Sequence, residues 1–544
     1  MKNILKISIL TFAAFATTGC IKETVPNSVV TSDQVSQSPT ALEAMVNAIP
    51  VNEAYPYSVF GSSSNYGFDF GLPGIICALD ACVGEEICTG GDEQSGYDWF
   101  TYWKNGTLLG PTQTVTRYAW YCYYNFIKSC NDVIGMLPDP ETLGDSEKAF
   151  LAYSKANRAS LYLDMARQFE ALENKYTDVS AVAGLTVPII TENTTEQEAR
   201  NNPRATRDEM FKFIFDDLDS AEALLTDNSV QGNKTVPSLA VVYGLKARAY
   251  LWLGGFDSSN YAKAAEFARK AIDESGAKPM TETQWLDPKT GFNTVNNSWL
   301  WYLPQSSENV TNLVNFVAWR SPEATWGYGS LVQQGVSSKF WARMSDTDWR
   351  KRAFIGPDPD AWYEENSDIS LWPACLAVDK TYTFNPYASV KFRPAAGEVS
   401  TFKTGNATSI PMMRVEEMYL IEAEATAYTN PSAAAKLLKD FMATRDPEFA
   451  LAGETTKSVV DAVIWNKRIE FWGEGIVFYD FKRLNYGIET GYSGTNAPTD
   501  TRIVTDGRAP WWNFCIPEVE TQQNEALKGK NNPNPVGIVK PWTE

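Results

Sequence analysis

Residues 240–273 read AVVYGLKARAYLWLGGFDSSNYAKAAEFARKAID, and this stretch decides the fold class. Its first half carries apolar residues at helical spacing, and Gly254-Gly255 then interrupts the pattern. Its second half places Ala264, Ala268 and Ala271 on one face of another helix, where small side chains allow close packing. A unit of about 34 residues with this layout is typical of a tetratricopeptide repeat, although a plain helical hairpin has the same spacing.

A second unit of similar length covers residues 412–445, where Asn430-Pro431 separates two apolar-periodic halves. Thr206 followed by Glu209 forms a capping box at the start of another predicted helix. The other helices predicted from apolar periodicity are 36–55, 112–137, 146–170 and 206–226.

Two long regions lack helical periodicity. Residues 56–110 are rich in Gly, Ser, Tyr and Trp and are predicted to be loops. Residues 280–410 hold many Trp, Gly, Pro and Asn and predict long loops with short strands, inserted between helical halves. Because long ordered loops in a compact protein usually carry function, we expect a mainly α protein with a loop-rich functional face.

The N-terminus predicts export. Lys2 and Lys6 precede a short apolar run, residues 7–16, which is too short to span a membrane. Thr17-Thr18-Gly19-Cys20 follows and is similar to the lipobox of bacterial lipoproteins. We therefore predict a signal peptide at 1–19, lipidation of Cys20, a tether over 20–35 and one domain over 36–544. Within that domain the expected parts are a helical part to about 279, the insertion, and a C-terminal helical part and tail over 411–544.

Charge and composition exclude several functions. The 544 residues carry 47 Lys and Arg against 66 Asp and Glu, a formal net charge of −19, which argues against a nucleic-acid partner. The sequence has no histidine, so Ser-His-Asp catalysis, Cys-His catalysis and His-based zinc sites are excluded. No phosphate-binding glycine motif favours a nucleotide.

Carboxylate pairs give little support to an enzyme. Glu470 and Glu474 stand four residues apart, as a glycosidase pair might on a helix, but Lys467 and Arg468 beside them predict a structural ion-pair network. Glu422 and Glu424 are interpreted as helix-surface charges. The sequence therefore predicts a protein without catalytic residues.

Metal and disulfide sites are weakly indicated. An acidic run from Asp358 to Asp368, with Asp360, Glu364 and Glu365, could hold calcium but lacks EF-hand spacing, and a solvated acidic loop is the simpler interpretation. No cofactor is predicted. Among the cysteines other than Cys20, a local disulfide within the first three is favoured over a thiolate metal site, because paired CxxC motifs are missing. These cysteines, whose pairing the sequence leaves open, are Cys77, Cys82, Cys88, Cys122, Cys130, Cys375 and Cys515.

Several blocks in order resemble the SusD/RagB-like surface lipoproteins. Pro203 to Thr206 with Asp217-Leu218 is similar to one family segment, and Val187-Pro188 to another. Asn466-Lys467-Arg468 departs from the family's usual Glu-Arg start, and Val477 stands near its usual Arg. The longer blocks are YAWYCYYNFIKSCNDVI (118–134), KANRASLYLDMARQFEAL (155–172), SIPMMRVEEMYLIEAEA (409–425) and IWNKRIEFWGEGIVFYDFKR (464–483).

The resemblance implies a helical fold with tetratricopeptide-like units and a loop-rich face. It also implies a non-enzymatic, lipid-anchored protein of the outer-membrane surface, which captures glycan and passes it to a TonB-dependent transporter. Some members bind peptides instead, so capture of oligopeptides stays open, as does a purely structural role in the transporter.

Glycans offer apolar C–H faces edged by hydroxyls, so aromatic rings on loops with nearby polar groups suit them. Two stretches have this composition, and in each of them packing within the protein is the competing interpretation. The predicted ligand contacts are Tyr97, Trp99, Tyr102, Trp103, Asn105, Trp319, Arg320, Trp326 and Tyr328.

Overall fold

The computed structural model describes residues 38–61, 66–226, 233–308, 314–366 and 383–544. The predicted signal peptide, the lipidation site Cys20, the tether, Asp368 and Cys375 lie outside these ranges.

The described part of the chain is mainly helical, as predicted. Its helices are α1 (Pro39–Glu53), α2 (Leu72–Val83), α3 (Asp92–Ser95), α4 (Thr101–Asn105), α5 (Arg117–Met136), α6 (Asp145–Phe169), α7 (Glu196–Ala199), α8 (Arg207–Leu225), α9 (Leu239–Gly254), α10 (Asn260–Ser275), α11 (Glu282–Leu286), α12 (Phe316–Arg320), α13 (Tyr328–Val332), α14 (Ser338–Arg343), α15 (Pro359–Glu365), α16 (Phe402–Gly405), α17 (Val415–Ala427), α18 (Pro431–Met442), α19 (Thr456–Glu470), α20 (Val477–Leu484) and α21 (Glu518–Gln523). The strands are β1 (Ile87–Cys88), β2 (Trp299–Pro304), β3 (Gln334–Gly335) and β4 (Ser409–Arg414).

The predicted helix pairs form the centre of the fold. Helix α9 packs along α10, and α17 packs along α18, which gives the two repeat-like units. Ala264, Ala268 and Ala271 are fully buried, so the alanine face of α10 is the packing face. The units touch each other through α10 and α17, where the rings of Tyr261 and Tyr428 stack with their centroids 3.7 Å apart.

Local signals place the ends of these helices as expected. Thr206 and Glu209 form the predicted capping box at the start of α8. The side chain of Asn430 accepts a hydrogen bond from the backbone N–H of Ala433 and so caps α18. Helix α10 ends at Gly276, whose φ of +58° lies in the left-handed region that glycine tolerates.

The inserted segment closes on itself. Strands β2 and β4 pair antiparallel, with Trp299 opposite Arg414 and Pro304 opposite Ser409, which joins the start and the end of the loop-rich region. Because α10 and α17 are also neighbours, the helical array continues across the insertion as if the segment between them were absent.

Both regions predicted to be loops contain helices; α3, α4 and α11 to α16 are short, with seven residues or fewer each, and α2 is the longest of them. Residues 72–83, within the stretch predicted to be loop, form α2, and every residue of α2 is buried. A helix that is buried on all sides has apolar residues all round and therefore no amphipathic period, which is why the pattern did not reveal it.

Three other predictions have outcomes in the described structure. Glu424 is fully buried between Lys467 and Arg483, so its interpretation as a surface charge is wrong. The predicted local disulfide is also wrong, because Cys77, Cys82 and Cys88 are free and buried. Asp358, in the acidic run considered for calcium, caps α15 by accepting from the N–H groups of Asp360 and Ala361.

Glu470 lies in a structural ion-pair network, as predicted, but Lys467 and Arg468, which suggested the network, pair elsewhere: Lys467 with Glu424 and Asp480, and Arg468 with Glu85. The carboxylate of Glu470 receives hydrogen bonds from Arg350, Arg414 and Arg445, and Glu474 pairs with Lys391 and Arg414. Burial raises the pKa of Glu470, but the three guanidinium groups more than offset this and hold the pKa well below its usual value. Two of the cations, Arg350 and Lys391, belong to the insertion, so the network ties the insertion to the C-terminal helices.

Candidate ligand-binding site

The two predicted aromatic stretches meet in space. The indole of Trp99 stacks on that of Trp319, with centroids 5.0 Å apart and planes 16° apart. Tyr328 adds a third ring, 4.6 Å from Trp99. The aromatic residues before α4 and those of α12 and α13 therefore form one cluster.

Glycines, which have no side chain, allow the aromatic cluster to pack tightly. A Cβ atom on Gly67 would lie 2.3 Å from Cε2 of Trp99, so one face of that indole rests against the Gly67 backbone. Gly327 and Gly329, which flank Tyr328, allow their main chain to lie directly against the main chain of the preceding segment. A Cβ on Gly329 would lie 2.4 Å from the carbonyl oxygen of Ser321. Larger residues at these positions would separate the segments.

Buried charges support the cluster from below. Arg320, next to Trp319, pairs with Asp80 at 2.8 Å and with Glu86. Burial raises the pKa of Asp80 to about 7, although Arg320 opposes the shift. Lys104 of α4 donates to Asp98 at 2.5 Å and to the Gln334 side chain at 3.3 Å. These contacts connect α2, α4, α12 and β3 beneath the rings.

A cavity of about 290 Å³ opens beside this cluster. Tyr66, Trp99 and Tyr102 contribute aromatic surface to its walls, and Gln113 and Thr114 contribute polar groups. Asp98 also lines the cavity, and its carboxylate accepts a hydrogen bond from the backbone N–H of Phe100 at 2.9 Å.

Some of the predicted contact residues are buried in the structure, and the others keep accessible surface. Trp319 and Arg320 are 0% exposed and Trp103 is 3% exposed, so these three support the site from within and have no surface on which a sugar ring could stack. Trp326 is half-buried, packs against Gly405 and donates its indole N–H to Asn406. Asn105 donates to the Asp500 carbonyl. The others retain accessible surface, most of all Tyr97, which is 52% exposed.

Sequence reasoning missed several residues of the cavity. Tyr66, Phe68, Gln113 and Thr114 line it together with the predicted residues. The alternation of Gly and aromatic residues in YGFDF (66–70) was the available signal, since it resembles the composition of the stretches that were chosen. The two polar residues carry no comparable signal.

These features define a class of protein: an array of paired helices that carries an open aromatic pocket on its loops. In the described residues, no helix has both the length and the apolar character that crossing a membrane requires. The same residues contain no group of three or more Cys, Asp and Glu side chains placed to hold a metal ion.

Comparison with known families identifies this class. A family model described as "Starch-binding associating with outer membrane" matches residues 90–251, and the SusD family model matches residues 273–534. The chain belongs to the SusD/RagB family, whose members associate with the outer membrane. A search of curated proteins finds no match to this chain.

Solved structures share the fold at low sequence identity. A SusD-like carbohydrate-binding protein from Bacteroides vulgatus ATCC 8482 is 21% identical, with 93% of this chain and 100% of that one covered and a TM-score of 0.69. Surface glycan-binding protein A from Bacteroides thetaiotaomicron in complex with laminarihexaose is 18% identical, with 91% and 99% covered and a TM-score of 0.63. A laminarin-binding SusD-like protein is 17% identical, with 91% and 98% covered and a TM-score of 0.62.

Proposed function

We propose that this protein captures oligosaccharides or polysaccharide at the cell surface and delivers them to a TonB-dependent transporter of the outer membrane. The observation that carries the proposal is the open pocket beside the stacked Trp99 and Trp319, with Tyr66 and Tyr102 in its wall. Relatives of the same fold that are named for binding glycan or laminarin support it.

The exposed tyrosines suit a sugar ligand. A sugar ring presents C–H groups to an aromatic face and hydroxyls to polar groups at its edge. Tyr102 and Tyr66 supply faces, while Gln113 and Thr114 supply hydrogen-bonding groups at the rim. Trp319 beneath holds these elements together, and Trp99 adds apolar surface to the cavity wall.

The pocket favours binding over hydrolysis. A glycosidase places two carboxyl groups on opposite sides of the bond to be cleaved. Asp98 is the single carboxylate among the described residues that line this cavity, and Lys104 and the Phe100 N–H already occupy both of its oxygens. We therefore propose a non-enzymatic role.

The anchor and the partner are part of the proposal. The lipobox-like Cys20 and the polar tether after it support lipid attachment at the outer face of the outer membrane. A captured glycan then needs a route through that membrane, and membership of the SusD/RagB family supports a SusC-like TonB-dependent transporter as the partner.

Affinity electrophoresis of the soluble chain that starts after Cys20 tests the function, with gels that contain plant, fungal or host polysaccharides. We expect at least one polymer class to retard the protein. Tyr102→Ala, which removes an aromatic face from the cavity, should abolish most of the retardation. Phe256→Ala is the control, because Phe256 is an exposed ring that lies outside this cavity.

A different pattern would redirect the proposal. Unchanged migration in every gel, together with saturable binding of a peptide library, would contradict glycan capture and favour oligopeptides. Tight association with the transporter and no ligand affinity would instead favour a structural subunit.

A further inference from the structure

The charges around the pocket point to a restricted class of glycan. Among the described lining residues Asp98 is the one with a charged side chain, and no Lys or Arg shares the wall with it. Recognition of uronate or sulfate groups normally uses such cations, because they neutralise the anion and donate to its oxygens.

The nearest cation is already used. Lys104 is buried, and its ammonium group donates to Asp98 and to the Gln334 side chain, with Glu86 3.7 Å away. The other cation of this cluster, Arg320, is fully buried between Asp80 and Glu86. Neither can turn towards a ligand without leaving a carboxylate unpaired inside the protein, which is costly.

Further acids lie near Asp98 in the chain or in space. Helix α3 exposes Asp92 and Glu93 a few residues before Asp98, and Asn105 donates to the backbone of Asp500. Burial and then repulsion by Asp98 raise the pKa of Asp500, so the two carboxylates are close enough to interact. Arg502, which faces Asp92, donates its Nε–H to the Ala497 carbonyl.

We propose that this pocket selects neutral glycans and excludes polyanionic ones, because its described wall holds no Lys or Arg that could bind an anionic group. This inference rests on the proposed function and deepens it. A carboxylate or sulfate that enters this pocket loses hydrating water without gaining a cationic partner, since Lys104 already pairs with Asp98, and the negative net charge of the chain repels the anion at longer range. The hydroxyls of a neutral sugar instead exchange hydrogen bonds with Gln113 and Thr114.

The test uses pairs of polysaccharides that share a main chain and differ in charge. Laminarin with sulfated laminarin, dextran with dextran sulfate, and methyl-esterified pectin with polygalacturonate are suitable pairs for titration calorimetry with the soluble chain. We expect the neutral member of the pair that binds to have at least about tenfold higher affinity at low salt, and the ratio to shrink as salt screens the repulsion. Equal or tighter binding of the anionic member overturns the inference and leaves glycan capture intact. If neither these pairs nor the wider panel binds, the proposed function fails and this inference fails with it.

A variant with an added charge tests whether the preference for neutral glycans arises in this pocket. Gln113→Lys places a cation in the pocket wall and should raise the affinity for the anionic member severalfold. Ser258→Lys is the matched control, because it makes the same change in net charge at an exposed position away from the cavity. Equal effects of the two variants, or no effect of Gln113→Lys, would overturn the assignment of the preference to this pocket.

Discussion

Arg158 and Asp217 form a bidentate ion pair, with Nε–Oδ2 and Nη2–Oδ1 distances of 2.8 Å and 2.9 Å. The pair joins α6 to α8, and both side chains are almost completely buried. Arg158 also donates to Asn131 on α5 at 2.7 Å, so three helices of the array meet at one guanidinium group. Both residues lie in sequence blocks that carry the family resemblance, and their contact gives those blocks a structural reason.

Loss of one partner should destabilise the array strongly. Asp217→Asn leaves a buried cation partly unpaired, and we expect the free energy of unfolding to fall by about 3–5 kcal/mol in urea denaturation. Lys212→Ala breaks an exposed pair with Asp216 on the same helix and should cost less than about 0.5 kcal/mol. Similar losses for the two variants would contradict a structural role for the Arg158–Asp217 pair.

Glu53 should make stability depend on pH. Its side chain is fully buried at the end of α1, and burial raises its pKa from 4.5 to about 8. A raised pKa means that the folded state holds the proton more tightly, so stability is lost as the pH rises from about 4.5 through 8. Glu53→Gln should therefore be more stable than the native chain at pH 8 and gain less at pH 5, as measured by denaturant unfolding. Glu43→Gln, an exposed change on the same helix, should show no such difference.

A single methyl group on Gly67 should disturb the ligand pocket. In Gly67→Ala the new Cβ would lie 2.3 Å from the Trp99 indole, which must move away from its stack with Trp319. We expect glycan affinity to fall at least about tenfold, with a change in tryptophan near-ultraviolet circular dichroism. Gly453→Ala, whose Cβ meets its nearest atom at 3.5 Å in a different loop, provides the comparison. Unaltered affinity in Gly67→Ala would show that the Trp99 position does not matter for binding.

The cysteines should be present as free thiols. Six of them are free and buried: Cys77, Cys82, Cys88, Cys122, Cys130 and Cys515. Burial raises the pKa of Cys88 and Cys515 to about 12, so the native protein should react slowly with a thiol reagent. After denaturation without a reductant, at least six thiols per chain should react. In the soluble chain that starts after Cys20, a count of five or fewer would mean that a disulfide does form.

Lipid attachment has a direct readout. The lipobox-like sequence predicts that cells fed a labelled fatty acid incorporate the label into the native chain and not into Cys20→Ala. The variant should also leave the membrane fraction, because the lipid on Cys20 is the predicted anchor. Ser28→Ala, a change in the predicted tether, should keep the label. Equal labelling of native chain and Cys20→Ala would refute Cys20 as the attachment site.

The sequence predicted those parts of the fold that depend on local signals. Apolar periodicity, the capping box at Thr206 and the break at Asn430-Pro431 act over a few residues, and the structure confirms the helices that they predict. Helix α2 was missed because burial on all sides removes the periodic signal. Glu424 was assigned to the surface because its partners, Lys467 and Arg483, come from other helices.

The candidate site could be predicted only as two separate stretches. Composition marked the aromatic residues around Trp99 and Trp319, and the structure brings them together. Which rings remain accessible depends on long-range packing: Gly67 covers a face of Trp99, and neighbours from several segments enclose Trp319. No local sequence pattern indicates which rings are covered by distant segments. The accessible tyrosines could therefore be identified only from the structure.

The closed ends of the inserted segment have an evolutionary consequence. Since β2 and β4 join where the segment leaves and returns, and α10 already touches α17, the contact between the two repeat-like units does not depend on the middle of the segment. Buried residues such as Phe340, Phe354 and Lys391 hold the segment to the core, so its exposed loops are the part that is open to substitution, lengthening or exchange. A lineage can in this way change which ligand the loops meet, while the paired-helix scaffold stays as it was.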